Sequence, residues 1–337
     1  MKTFQLPIDK IIIQLGYKSS GNFFMSNQFQ NASLSPQSKR ILKEINPYAA
    51  YIIDNTPFVL FFDKVVNDDI SFKKVSKQVW NAQIPVAIFC DESTVKIFNG
   101  LSLDISNYML KQIESYSTED CNETSDFSYW QISNPIFWNK YNQIYLQTKL
   151  NQSLLDNISF VTNELKSTYH IQFATKLVLR LIFIRYLIDR GVDLDYRNFS
   201  TDIAQSQKEF LKLVSSKNDI YELFAHLKEK FNGNLFELED EINCAELTTE
   251  VFDLLSDFFS GKEVLNTKQL SLFALYDFNI IPVELISNIY EILLGKKTRD
   301  KDNAFYTPNY LVEYILDRTV TKTLKEKSSF TILDPSC

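Results

Sequence analysis

Two kinds of hydrophobic pattern follow one another along this chain. Over residues 1–104 the apolar positions come in short blocks. Asp9–Tyr17 has isoleucine and leucine at helical spacing and stops at Gly16. A polar stretch then runs to about Lys39. Tyr48–Ile53 and Phe58–Lys64 are β-branched and aromatic, and Asp54-Asn55-Thr56-Pro57 separates them, which predicts strand, turn, strand. Phe72, Val75, Val79 and Ala82 recur every three or four residues, so Ser71–Ala82 is expected as an amphipathic helix. Pro85–Cys90 and Thr94–Phe98 predict two more strands around an Asp91-Glu92-Ser93 turn. These elements make a small α/β unit.

From about Asn151 onward the period lengthens and becomes helical. Residues 105–150, polar and aromatic, are expected as a connector with local packing, and residues 151–300 as a helical domain. Ile171–Arg190 is apolar nearly all round and ends at Gly191, the pattern of a buried central helix. Ile220–Phe231 and Glu250–Phe259 predict shorter amphipathic helices. Val283–Leu294 has Pro282 before it and Gly295 after it, the usual asymmetry of helix punctuation. A charged loop, Lys296–Asp302, follows. Leu311, Ile315 and Val320 mark another helix, and Phe330–Leu333 an apolar strand that runs into Asp334-Pro335-Ser336.

Composition narrows the function classes. Only 7 glycines are spread over 337 residues, which argues against a complete phosphate-cradling loop. The 4 cysteines and 2 histidines are scattered without metal-ligand spacing. Unpaired thiols suit a reducing compartment, and the start shows no leader pattern, so a cytoplasmic location without a membrane span is expected. The longest apolar run, Leu177–Ile188, is interrupted by Arg180 and Arg185 and is too short to cross a bilayer. Net charge is −7. Residues 1–104 carry 11 Lys/Arg against 9 Asp/Glu, and the remainder 24 against 33. A DNA-coating protein is usually basic, so any nucleic-acid contact must be local.

Two motifs carry chemistry. Phe305-Tyr306-Thr307-Pro308 followed by a helix, then Ile332-Leu333-Asp334-Pro335-Ser336-Cys337, resembles the adenine-N6 DNA methyltransferases of restriction-modification enzymes, in particular single-chain, type IIG-like ones. The resemblance implies the start of a Rossmann-like methyltransferase domain over 301–337. Phe305, Tyr306, Thr307, Pro308, Asp334, Pro335 and Ser336 would then line or brace an S-adenosylmethionine pocket at the carboxyl end of a strand. Ile281–Glu291 and Phe231–Phe236 resemble helical phrases of the same enzymes, and their own role is packing. The family's glycines would follow Cys337, and an Asp/Asn-Pro-Pro-(Tyr/Phe) motif, which holds the extruded adenine, does not occur. The expectation is therefore an amino-terminal portion that neither methylates nor binds S-adenosylmethionine well by itself, within a parent enzyme that acts on DNA.

The amino-terminal unit resembles the nuclease-like domain that opens many restriction enzymes. That family sets an Asp at one strand end and a Glu/Asp-x-Lys on the next, for Mg²⁺ and for the attacking water. The resemblance places Asp54 at the first position, as metal ligand and catalytic carboxylate, and Lys64 at the last; Gln78 and Trp80 match the helical positions. The middle carboxylate would fall at position 62, where Phe62 stands. Three readings stay open: a decayed nuclease fold, a working site with Asp63 or Glu44 as shifted ligands, and an unrelated α/β domain. Lys73, Lys74 and Lys77 share one helix and suit either phosphate oxygens or a solvated face. Arg180, Arg185 and Arg190 are expected in buried ion pairs. The rival to an enzyme is a non-catalytic docking or DNA-holding module.

Overall fold

The computed structural model describes residues 6–53, 55–63, 69–104, 107–144, 149–231, 234–237, 241–260, 263–264, 269–270, 276–281, 289, 309–327, 329 and 331–333. The chain divides into two compact units, Met1–Pro282 and Val283–Cys337.

The first unit opens with α1 (Pro7–Gln14). Pro7 sits in the first turn, where its missing N–H costs nothing, and Ile8, Ile11 and Ile12 bury one face. Gly16 ends the helix at φ 79°, a backbone region that disfavours side chains. After β1 (Phe23–Met25) comes α2 (Pro36–Ile45), inside and beyond the stretch read as polar. Its signals are local: Ser35 caps it by accepting from the Ser38 N–H at 3.1 Å, and Asn46 closes it at φ 51°. Only Ile41, Leu42 and Ile45 supply its apolar face, too short a pattern to stand out in sequence.

The other strands of its sheet are β2 (Ala49–Ile53), β3 (Thr56–Phe62), β4 (Val86–Cys90), β5 (Thr94–Asp104) and β6 (Met109–Ser117). They form a six-stranded sheet in chain order. Every neighbouring pair is antiparallel except β3 and β4, which run parallel. A parallel pair needs a crossover, and α3 (Asp69–Asn81) provides it. The α/β class read from the sequence is thus present. The sheet also runs past residue 104: β6 lies in the stretch expected as a connector. Its burial is uneven and much of it faces solvent, as suits an edge strand, which is why it lacked a strand's apolar signature.

Strand alternation separates two faces. Tyr51, Val59, Phe61, Val86, Ile88, Cys90, Val95 and Ile97 share one core with α1 and with the segment that holds Phe127, Phe137 and Tyr141. Tyr17 ties that core together: its hydroxyl donates to the Phe127 carbonyl at 2.9 Å. That segment includes two short helices, α4 (Tyr129–Ile132) and α5 (Pro135–Lys140), so residues 121–144 are a cover for the sheet. Leu60, Phe62, Ala87 and Phe89 fall on the opposite face, where Phe72 of α3 packs edge-on against Phe89.

The helical part of this unit comprises α6 (Lys149–Ser167), α7 (Ala174–Asp189), α8 (Ile203–Val214), α9 (Lys217–Phe231) and α10 (Thr249–Ser260). The α7 helix is buried on nearly every side, as its sequence predicted, and Gly191 follows it at φ 69°. Among the described residues no helix is long and apolar enough to cross a membrane.

In the second unit, α11 (Asn309–Arg318) begins directly after Pro308 and α12 (Val320–Glu326) follows. Residues 331–333, expected within a strand, have no regular secondary structure, and Ile332 and Leu333 are 64% and 85% exposed. An apolar run becomes a strand only when another strand satisfies its backbone groups. The helix expected over Val283–Leu294 lies outside the described residues, save Ile289.

Candidate functional site

Asp54 and Lys64 lie outside the described residues, but the elements around them are defined. Asp54 falls between β2 and β3, beside Asn55 at φ 62°. The Asn55 carbonyl accepts a hydrogen bond from the Ser38 hydroxyl, which holds the turn to α2. Position 62, where a second carboxylate would stand, is buried. Phe62 stacks on Phe89 with centroids 4.5 Å apart and planes 12° from parallel. Phe72, Phe89 and Phe98 continue the cluster at 5.2–5.3 Å. Asp63 is exposed, and Glu44 is exposed on α2, where its carbonyl accepts from Gln78 Nε2 at 3.2 Å. Trp80 packs inward against Tyr276, at 5.6 Å. Gln78 and Trp80 thus join α3 to its neighbours. Among the described residues no three His, Cys, Asp or Glu side chains are grouped so as to hold a metal.

The residues that the resemblance would place at S-adenosylmethionine, Phe305, Tyr306, Thr307, Pro308, Asp334, Pro335 and Ser336, also lie outside the described residues.

The structure does bring together the lysines of α3. Lys73, Lys74 and Lys77, within about one turn of one another, line a cavity of about 400 Å³ with Gln78, Asn81, Tyr108, Tyr276 and Asp277. Lys77 Nζ lies 5.7 Å from the Tyr108 ring centroid, within cation–π range. Burial pulls the Lys77 ammonium below its ordinary pKa, and Asp277 partly offsets this. Asn81, 1% exposed, forms the floor: its side-chain NH₂ donates to the Lys77 carbonyl at 2.8 Å, and its oxygen accepts from the Asp277 N–H at 3.1 Å. One asparagine therefore fastens α3 to a segment 196 residues away.

A second cavity, of about 510 Å³, adjoins this one and shares Tyr276 and Asp277 with it. Its wall includes Glu44, Arg185, Asp189 and Gln207. Asp189 is nearly fully buried and accepts from Arg185 Nε and from Gln207 Nε2, both at 2.8 Å, and from the Phe278 N–H at 3.4 Å. Burial still raises its pKa above the usual carboxylate range, against those three donors. Asp277 is raised too, first by burial and further by Asp189 and Glu44, while the Asn279 N–H and Arg185 act the other way.

The arginines of α7 serve structure. Arg180 is fully buried and pairs with Glu241, Nη1 to Oε2 at 2.5 Å. It also donates to the Leu235 carbonyl at 2.6 Å and to the Glu237 carbonyl. Arg185 pairs with Asp189. Arg190 reaches the Phe278 and Ile281 carbonyls, each at 3.3 Å, and lies over the Tyr186 ring. The expected buried ion pairs are present for Arg180 and Arg185, and the described contacts of Arg190 are to main-chain oxygens and a ring.

Sequence reasoning named the lysines but missed Tyr108, Asn81, Tyr276 and Asp277. Tyr108 had a local signal in the flanking Asp104 and Asn107, both turn formers. Asn81 and Asp277 had none, because their pairing exists only in the folded chain.

No protein-family model, curated protein or solved structure matches this chain.

Proposed function

We propose that this chain belongs to a restriction-modification enzyme that transfers a methyl group from S-adenosylmethionine to adenine N6 in DNA, and that its α/β unit holds DNA without cutting it. The observation that carries the first part is the ordered pair of motifs, Phe305-Tyr306-Thr307-Pro308 and Leu333-Asp334-Pro335-Ser336-Cys337. The helix that should follow Pro308 begins at Asn309. Leu311, Tyr314 and Ile315 leave an exposed apolar stripe on it, the kind of face that packs on a sheet in a Rossmann-like domain. S-adenosylmethionine would bring the methyl group, and Thr307 and the Asp334-Pro335 corner are the residues of this chain that would meet it.

The second part rests on Phe62. A nuclease of the resembling kind needs a carboxylate at that position, and a buried, stacked phenylalanine does not fit a Mg²⁺ site. The β2–β3 turn, the α3 crossover and the lysines are kept, and they support a nuclease-like fold that retains a DNA-facing surface. Two assays test this reading. The gene product that contains this chain should move tritium from labelled S-adenosylmethionine to adenine N6 of duplex DNA; no transfer would overturn the methyltransferase reading. Supercoiled plasmid incubated with the protein and Mg²⁺ or Mn²⁺ should stay intact. Nicking that disappears in Lys64→Ala would overturn the non-cutting reading.

A further inference from the structure

We propose that the cavity between α3, the Tyr108 turn and Tyr276–Asp277 receives a single unstacked nucleotide, with its phosphate on Lys73, Lys74 and Lys77 and its base on the Tyr108 ring. The inference rests on the DNA reading above and goes beyond it by giving that reading one place and one chemical form. Four observations lead to it.

Among the described residues, the lining charges are three ammonium groups against one carboxylate, Asp277. Asp277 is half-buried, and its main-chain neighbour Asn279 donates to it at 3.0 Å. The cavity is thus suited to an anion. Lysines carry a phosphate as point charges without demanding a fixed geometry.

Tyr108 stands at φ 60°, in the left-handed region, where a bulky residue is uncommon. Its turn is held on both sides. The Tyr108 N–H donates to the Asp104 carbonyl at 2.8 Å, Asn107 Nδ2 to Asp104 Oδ2 at 2.9 Å, and the Met109 N–H to Asn107 Oδ1 at 2.9 Å. Backbone held this way clusters at ligand sites. Here it sets a half-exposed ring beside the lysines, and base–aromatic stacking accepts any base.

The opposite wall is tied together by hydrogen bonds and ring packing. Asn81 binds Asp277 and Lys77 at once, and Trp80 backs Tyr276. A preformed wall spares a ligand the entropy of ordering it.

The size is right for one nucleotide. About 400 Å³ lies in the range of small-molecule pockets, roughly 300–1,000 Å³. A duplex would reach the lysines with its backbone but would keep its bases stacked away from Tyr108. An unpaired nucleotide satisfies both walls.

The test is fluorescence anisotropy with a labelled single-stranded oligonucleotide, the matching duplex, and unlabelled dAMP, inorganic phosphate and polyglutamate as competitors. The whole chain is used. Two variants each remove two positive charges: Lys74→Ala/Lys77→Met at the cavity and Lys10→Ala/Lys111→Ala elsewhere. The wild type should prefer the single strand, and dAMP should displace it far better than phosphate. The cavity variant should bind at least tenfold more weakly, and its slope of log affinity against log salt should fall by roughly 1.4, at about 0.7 per lost contact. The other variant should stay close to wild type. Tyr108→Leu should lose roughly fivefold or more on the single strand and little on the duplex. Circular dichroism melts identify any variant that has lost its fold, and Tyr108→Leu and the cavity variant are independent of each other in this respect.

Equal losses in the two charge variants would overturn the site and leave DNA binding in place. No binding of either DNA by the wild type would overturn the site and the DNA-holding reading together. Displacement by polyglutamate as effective as by DNA would also overturn it, in favour of an acidic protein partner. Tight binding of free dAMP with no binding of the oligonucleotide would overturn the strand as the source of the nucleotide and assign the cavity to a free one.

Discussion

The rings of Phe62 and Phe89 stack face to face across the parallel β3–β4 pair, 4.5 Å apart. A carboxylate at position 62 would lie inside this aromatic cluster, away from water. Phe62→Glu is therefore expected to destabilise the protein by about 3 kcal/mol or more, through lost packing and a buried charge, and not to create cleavage. Phe62→Leu should cost about 1–2 kcal/mol, since a residue of smaller volume fills part of the space. Urea unfolding followed by tryptophan fluorescence separates the two, and a Phe62→Glu protein as stable as wild type would contradict the packing described.

Arg180 and Glu241 form a fully buried pair that links α7 to the segment after α9. Removing one partner leaves the other charge in a dry interior. Glu241→Ala is expected to cost about 3–5 kcal/mol. In Arg180→Met/Glu241→Ala a large part of that loss should return, because no charge remains buried. A double variant as unstable as the single one would show that the main-chain bonds of Arg180 to Leu235 and Glu237 matter more than the pair.

Asp277 sits where two cavities meet, and burial raises its carboxyl pKa. A carboxyl raised in the folded state stabilises the fold when protonated, fully so below its unfolded pKa. That contribution is lost as the pH rises through the raised folded value. Asp277→Asn, whose side chain still accepts from the Asn279 N–H, should therefore raise the melting temperature at pH 8 and change it little at pH 4. The reverse order would mean that Arg185 and Lys77 hold the carboxylate more strongly than burial opposes it.

Gly100 lies on β5 with its N–H donating to the Pro85 carbonyl at 2.9 Å. An added Cβ would overlap the Ile84 carbonyl oxygen and stand 2.9 Å from Val79 Cγ1. Gly100→Ala is expected to cost about 2–3 kcal/mol or more, as overpacking against backbone does. Gly21→Ala is the control, since among the described residues nothing lies within 4 Å of a Cβ there. Thermal melts of the two variants check this, and equal melting temperatures would contradict the close approach.

Much of the fold was legible because its signals are local. The apolar spacing before Gly16, that of Phe72, Val75 and Val79, and the all-apolar surface of α7 each identify an element from a few neighbouring residues. Less legible were α2 and β6. The helix α2 carries three buried apolar residues among polar ones, and β6 is an edge strand whose outer side meets water. Their places come from partners distant in the chain.

The chemistry divides in the same way. By itself the sequence determined the two short motifs at Phe305–Pro308 and Leu333–Cys337 on which the methyltransferase proposal rests, the helix after Pro308, and the presence of phenylalanine at position 62, because residue identity and short spacing suffice for these. Only the tertiary structure decided that Phe62 is stacked, that Arg180 meets Glu241, and that three lysines, Tyr108 and Asp277 share one cavity. Those relationships join residues dozens to about two hundred positions apart. No local pattern encodes them, since they arise when apolar burial draws separate faces together and the polar groups trapped there must find partners.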